Sequence, residues 1–291
     1  MSILLLLSLL PSAPLVTAHQ GSVVRWTGLA AKECAIYGKK YPAVDATCYY
    51  PIDLRARVGA HAIALYDQDG KKHAGKLVVE ERPIVEVPID LPPKLVRYVE
   101  VSADDAARTK TEGAEVAKIL RGKDEPPRFS LPLARPSAKM PPKSADDFGS
   151  VRNFNAAHKS SVHSGRDYPE GQGTAVKAVA DGTVVLAADH FLTGNAVYVD
   201  HGGGLVSMSF HLKSIAVKTG DTVKRGQTIG RVGATGRATG PHLHIGVRWL
   251  GQRVDPALLF EAPTKLASVG DAAEGGEPGK EDPADAPDDE L

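Results

Sequence analysis

Thr239-Gly-Pro-His242-Leu-His244-Ile-Gly-Val-Arg-Trp249 reads as one strand with two chemically different sides. Side chains alternate along extended backbone, so His242, His244, Gly246 and Arg248 share one face while Leu243, Ile245, Val247 and Trp249 share the other. The apolar face packs inward and the opposite face presents two imidazoles. One of these can ligate a metal while its neighbour acts as acid, base or hydrogen-bond donor to whatever the metal holds.

A second segment, His163-Ser-Gly-Arg-Asp167, supplies the complementary donors. The four-residue spacing of His163 and Asp167 would align them on a helix. Ser164 and Gly165 between them, with Pro169, Gly171 and Gly173 following, instead predict a turn-rich loop that brings both side chains to one centre. Three ligands of the type His, Asp, His with a fourth position open are expected of a catalytic rather than a structural metal, and no cysteine is required. Either motif alone is weak, and their conjunction is what carries the reading.

A third segment, Val206 to Leu212, alternates between Val206, Met208, Phe210, Leu212 and Leu205, Ser207, Ser209, His211. Strict alternation takes His211 off the core face and toward the other polar residues. His201, in the Asp200-His-Gly-Gly-Gly204 turn, reads as a turn residue or a support for the site rather than a ligand. His158 and His190 fall in loop-like stretches that could line a cleft, and His19, His61 and His73 read as surface residues of a different domain.

From about Phe148 to Phe260 the chain resembles the lysostaphin/LytM-type zinc metallopeptidases, a family of cell-wall endopeptidases. The resemblance rests on the His-x-Gly-x-Asp and His-x-His motifs, Gly173-Thr-Ala-Val-Lys-Ala-Val-Ala-Asp-Gly182, the Asp200 to Gly204 turn, the run Val217 to Gly236, and Gly240-Pro-His-Leu-His244. It implies that His163, Asp167 and His244 bind zinc and that His211 and His242 are the unligated catalytic histidines. Ser209 departs from the tyrosine common two residues before the histidine, and Ile245-Gly246 from the frequent Phe-Glu. The implied chemistry is hydrolysis of peptidoglycan peptide bonds, with zinc polarising the carbonyl and lowering the pKa of bound water toward about 7. One of His211 and His242 would take the water proton and the other would stabilise the oxyanion.

The fold class expected is all-β: an antiparallel-sheet catalytic domain of that type preceded by a small β-sandwich-like domain. In 291 residues the reading places a signal peptide at 1–18, an accessory domain at 19–122, a proline-rich linker at 123–145, the catalytic domain at 146–262 and an acidic disordered tail at 263–291. Ile3 to Leu10 is an apolar run too short to span a bilayer, and Val16-Thr-Ala18 has the small-residue form of a cleavage site, which predicts extracytoplasmic action. Cys34 and Cys48, the only cysteines, are expected to form a disulfide contributing about 3 kcal/mol.

Charge is balanced overall, but nine acids against Lys280 between Asp271 and Glu290 give that stretch a net −8 and leave +8 elsewhere. Such a stretch has too little apolar surface to offset its ordering entropy. A basic body suits an anionic substrate such as cell wall; no nucleic acid and no stable membrane span are expected, and a regulatory protein partner stays unknown.

In the accessory domain the alternations at Ile63 and Leu65, Leu77 and Val79, and Val85 to Leu91 predict strands, with a turn at Asp69-Gly70 and one helix over Ala106 to Leu120. Asp181-Gly182 predicts a hairpin between Val176–Val179 and Thr183–Leu186. Two rival classes remain. One is a lipoyl- or biotinyl-type carrier barrel, which would have no use for five placed polar side chains. The other is a latent family member that binds cell wall and regulates another hydrolase.

Overall fold

The computed structural model describes residues 13–120, 125–137, 148–154 and 159–269. The apolar run Ile3–Leu10, His158 and the acidic stretch 271–291 lie outside the described residues.

The first part of the chain forms β1 (Leu15–His19), β2 (Val23–Trp26), β3 (Ala31–Ile36), β4 (Lys39–Pro42), β5 (Cys48–Pro51), β6 (Gly59–Asp67), β7 (Lys72–Glu80) and β8 (Glu86–Ile89). A helix, α1 (Ala103–Ile119), follows. Then come β9 (Val151–Phe154), β10 (Lys159–Val162), β11 (Gly165–Pro169), β12 (Ala175–Lys177), β13 (Gly182–His190), β14 (Gly194–Asp200) and β15 (Leu205–Ile215). The last strands are β16 (Thr222–Val223), β17 (Thr228–Val232), β18 (His242–Trp249), β19 (Gln252–Arg253) and β20 (Ser268–Val269).

A five-stranded sheet in the order β1-β7-β6-β3-β4 faces a three-stranded sheet in the order β20-β2-β5. Their inward side chains, including Val24, Trp26, Tyr50, Leu65, Leu77 and Val79, make one core. Along β7 the inward positions are Gly75, Leu77 and Val79, which is the period-two pattern read from the sequence. Gly75 is required to be small, because a Cβ there would lie 2.7 Å from the Trp26 ring. The Cys34–Cys48 disulfide links β3 of one sheet to β5 of the other.

The second part of the chain is a nine-stranded sheet with the path β11-β18-β15-β14-β13-β16, to which β12, β17 and β19 attach. Leu243, Ile245, Val247 and Trp249 are each 0–1% exposed, so the apolar face of β18 packs as its alternation predicted. That core also takes Val23, Val44 and Tyr49 from the first part of the chain, so the two parts share one interior. Trp249 sits at the junction, its ring 5.7 Å from Tyr49 and 5.5 Å from Phe129, with its indole N–H donating to the Gly203 carbonyl at 3.2 Å.

Several local expectations differ from the structure. Asp181-Gly182 closes no hairpin, because β12 pairs with β17 while β13 pairs with β14 and β16. The Asp181 carboxylate instead accepts from Lys224 Nζ and the Arg225 N–H, both at 2.8 Å. Residues 125–137 of the proline-rich connection are packed: Phe129 and Leu133 are buried, and Arg128, Leu133 and Ala134 donate backbone N–H groups to His201, Leu259 and Val179. Residues 263–269, expected as disordered tail, form a 3-10 turn and β20, which pairs in parallel with β2 and buries Val269. The expected cut after Ala18 falls inside β1, which pairs in parallel with β7 from Leu15 to His19.

Candidate metal centre

Asp167 lies on a strand, not in the turn-rich loop its neighbours suggested. Strand β11 pairs antiparallel with β18, and the register sets Asp167 directly across from His244. The two ligand positions therefore meet by strand pairing. Gly165, opposite Gly246, must lack a side chain because a Cβ would meet His244 Nε2 and the Ile245 carbonyl at 2.5 Å. His163, just before β11, is placed by reciprocal backbone bonds, His163 N–H to Ser150 O and Gly149 N–H to His163 O.

His163 Nε2, His244 Nδ1 and Asp167 Oδ1 converge: the separations are 3.0 Å between the two nitrogens, 2.8 Å from His244 to Asp167 and 3.3 Å from His163 to Asp167. A tetrahedral ion with bonds of about 2.0–2.1 Å needs ligand atoms roughly 3.3 Å apart, so this donor triangle fits zinc after an adjustment of tenths of an ångström. Among the described residues this is the one such cluster of three. Burial alone would raise the Asp167 carboxyl, but hydrogen bonds from His163 and His244 outweigh it and hold the group well below the usual carboxylate range. Its other oxygen accepts from the Arg152 guanidinium at 2.7 Å. Arg152, on β9, carried no sequence signal beyond its charge.

His211 and His242 flank the triangle, their rings 4.9 Å apart. Each has Nδ1 within hydrogen-bond reach of a backbone carbonyl, His211 to Thr235 at 2.8 Å and His242 to Gly240 at 2.9 Å. A carbonyl only accepts, so in both rings Nδ1 carries the proton and Nε2 is left free. His242 Nε2 points to the centre, 3.6 Å from Asp167 Oδ1. Burial, reinforced by His244 and His242, pushes the His211 pKa down to about 3, so that this imidazole is neutral at ordinary pH.

His211 reaches the site by a route that alternation does not predict. Its φ is 61°, in the left-handed region that costs a non-glycine residue about 1–2 kcal/mol. The β14–β15 register shifts there, with Asn195 opposite Leu212 and Val197 opposite Ser209. The bulge turns His211 to the same side as Phe210, whose ring stacks on His244 at 5.0 Å, and sends Leu212 to the opposite core. Strict alternation would have grouped His211 with Leu205, which is buried in that opposite core.

His201 is fully buried between the Asp181 carbonyl and Ser207 Oγ, both at 2.8 Å, a supporting rather than ligating place. Burial pushes its pKa down to about 4. His190 is buried at the end of β13 with Nε2 3.6 Å from Glu115 of α1. Helix α1, assigned from sequence to the accessory domain, packs on the sheet face that carries His244: Val116, Ile119 and Leu120 meet Leu186, Tyr198, Val206 and Met208. Arg108 donates to the Asp189 carbonyl at 3.0 Å, and Glu112 accepts the Phe191 N–H at 2.9 Å.

The chain is 40% identical over 113 residues to the peptidoglycan DD-endopeptidase ShyC of Vibrio cholerae, covering 39% of this chain and 26% of that protein. It is 39% identical over 116 residues to the DD-carboxypeptidase/endopeptidase Mpg of Neisseria meningitidis, covering 40% and 27%. The chain thus spans about a quarter of the length of these curated relatives. A crystal structure of an M23 peptidase from Pseudomonas aeruginosa superposes over 83% of this chain and 94% of its own, with a TM-score of 0.62 and 28% identity. Residues 161–256, which hold the ligand triangle and both flanking histidines, match the model of peptidase family M23, and through them this chain belongs to that family.

Proposed function

We propose that this protein is a zinc-dependent endopeptidase that hydrolyses peptide bonds in bacterial cell-wall peptidoglycan outside the cytoplasm. The observation that carries the reading is the donor triangle of His163, Asp167 and His244 beside two imidazoles whose Nδ1 atoms are committed to carbonyls. A zinc ion held there would supply Lewis acidity toward the scissile carbonyl and a water of pKa about 7. Arg152 holds the second Asp167 oxygen so that the first faces the centre. His211 and His242 divide two tasks at their Nε2 atoms: one, unprotonated, accepts the water proton, and the other, once it has taken up a proton at Nε2, donates to the developing oxyanion. The endopeptidase relatives support the substrate class, and the Cys34–Cys48 disulfide suits an oxidising compartment. Among the described residues no helix is long and apolar enough to cross a membrane.

A second reading, latency, is favoured by α1. Thr109, Glu112 and Val116 of this helix line the same cavity as Phe210 and His244. An enzyme built this way needs the helix to lift before a cross-linked strand can lie along the sheet.

Digestion of purified peptidoglycan, with and without chelator and with mass analysis of the released peptides, tests both readings. Chelator-sensitive peptide release is expected from the full chain. Under the latency reading, Val116→Asp, which sets a charge into the helix–sheet contact, raises the rate at least tenfold. Cleavage that survives chelation removes the zinc assignment, and an unchanged or lower rate in Val116→Asp removes latency.

A further inference from the structure

The face of β18 that carries His242 and His244 continues to a guanidinium with one nitrogen that no described residue satisfies. Arg248 shares that face with His242, His244 and Gly246, and its Nη1 is buried without a hydrogen-bond partner among the described residues. The neighbouring carboxylate Asp53 is engaged with Arg253, whose Nε donates to it at 3.0 Å and whose backbone N–H donates at 2.8 Å. Burial, with Arg253 adding repulsion, outweighs the attraction of Asp53 and Tyr198 and pushes the Arg248 pKa down to about 10, so the group is still a cation at neutral pH. A cationic group with one donor sealed from water and unpartnered costs free energy, which a ligand carboxylate would offset.

Space for a carboxylate-bearing side chain is present beside it. A cavity of about 240 Å³ runs between the sheet and α1, bordered by His244, Gly246 and Arg248 along β18, with Ser164, Met208 and Tyr198 beside them. It borders both His244 of the donor triangle and Arg248. Gly246 keeps the passage open, since a Cβ there would come within 2.9 Å of Met208 Cε. Four residues of strand separate His244 from Arg248, roughly 13 Å at about 3.3 Å per residue, which an extended peptide covers with about four of its own.

We propose that Arg248 is a specificity-determining residue that takes a carboxylate of the substrate peptide, several residues from the bond that is cut. This rests on the peptidase reading above and adds to it a requirement for an acidic peptide. The guanidinium fork pairs with a carboxylate through two parallel N–H···O bonds, which a lysine ammonium reproduces as charge but not as geometry.

The test uses the full chain loaded with zinc, an acidic peptide substrate and its counterpart with every carboxylate amidated. The wild-type protein is expected to prefer the acidic peptide at least tenfold in kcat/KM. Arg248→Gln should collapse that ratio toward one through KM on the acidic peptide, and Arg248→Lys should retain part of it. Equal losses on both peptides, or a ratio that Arg248→Gln leaves intact, overturn the proposal. Calorimetric binding of the two peptides to the same proteins separates this inference from the peptidase reading. If neither peptide is cut but the acidic one binds tenfold tighter in an Arg248-dependent manner, the peptidase reading fails and the subsite stands; if binding does not discriminate, the subsite fails.

Discussion

Asp167→Ala is expected to lose bound zinc and hydrolysis together, with activity falling at least a thousandfold. The carboxylate is the one anionic donor of the triangle, and its removal leaves two largely buried imidazoles facing each other 3.0 Å apart. It also leaves Arg152 without the acceptor it holds at 2.7 Å, so the cation that steadied the ligand now repels the metal. His211→Ala and His242→Ala should behave differently, because neither Nε2 belongs to the triangle. Both variants are expected to keep stoichiometric zinc while turnover drops at least a hundredfold, the usual scale for losing a positioned proton carrier. Metal content and peptide release measured on the same samples decide the matter. Full turnover or full zinc occupancy in Asp167→Ala would end the assignment.

Trp249→Ala is expected to produce the largest loss of stability, about 3–5 kcal/mol, by the scale for emptying a fully buried aromatic position. The indole is 1% exposed and touches Tyr49 from the first part of the chain and Phe129 from the packed connection. The cavity thus opens where three segments meet. Because Val23, Val44 and Tyr49 share the core of the large sheet, chemical denaturation should show one cooperative transition shifted as a whole. Two separated transitions in the wild-type protein, or a loss below about 1 kcal/mol in the variant, would contradict a shared interior.

Much of the site was legible because period-two alternation is local. The apolar and polar faces of β18 follow from the sequence alone, and the resemblance supplied the ligand set from ordered motifs. What could not be read was pairing. The facing of Asp167 and His244 is a register, which depends on β11 finding β18 some seventy-five residues away, and the glycines and proline that suggested a loop are compatible with an edge strand. His211 was placed in the site by reasoning that assumed an unbroken strand, whereas a left-handed residue and a bulge deliver it there. Asp181-Gly182 has the composition of a hairpin turn but spends its carboxylate on Lys224 and Arg225. Helix α1 and the described part of the connection were assigned by proximity in sequence, and their apolar residues instead found the nearest uncovered sheet.

Strand β8, an early segment of the chain, pairs in parallel with β9, and the register sets Val87 beside Arg152. The guanidinium that steadies Asp167 is therefore anchored by main-chain bonds to a stretch more than sixty residues upstream. Recombination that joined this peptidase half to a foreign front half, with the crossover anywhere between residues 90 and 150, would carry all five histidine and aspartate positions intact yet leave β9 ragged along one border. Inheritance of the donor set and inheritance of the upstream strand are in this way tied, and a shuffled descendant would have to rebuild that border before Arg152 steadied Asp167 again.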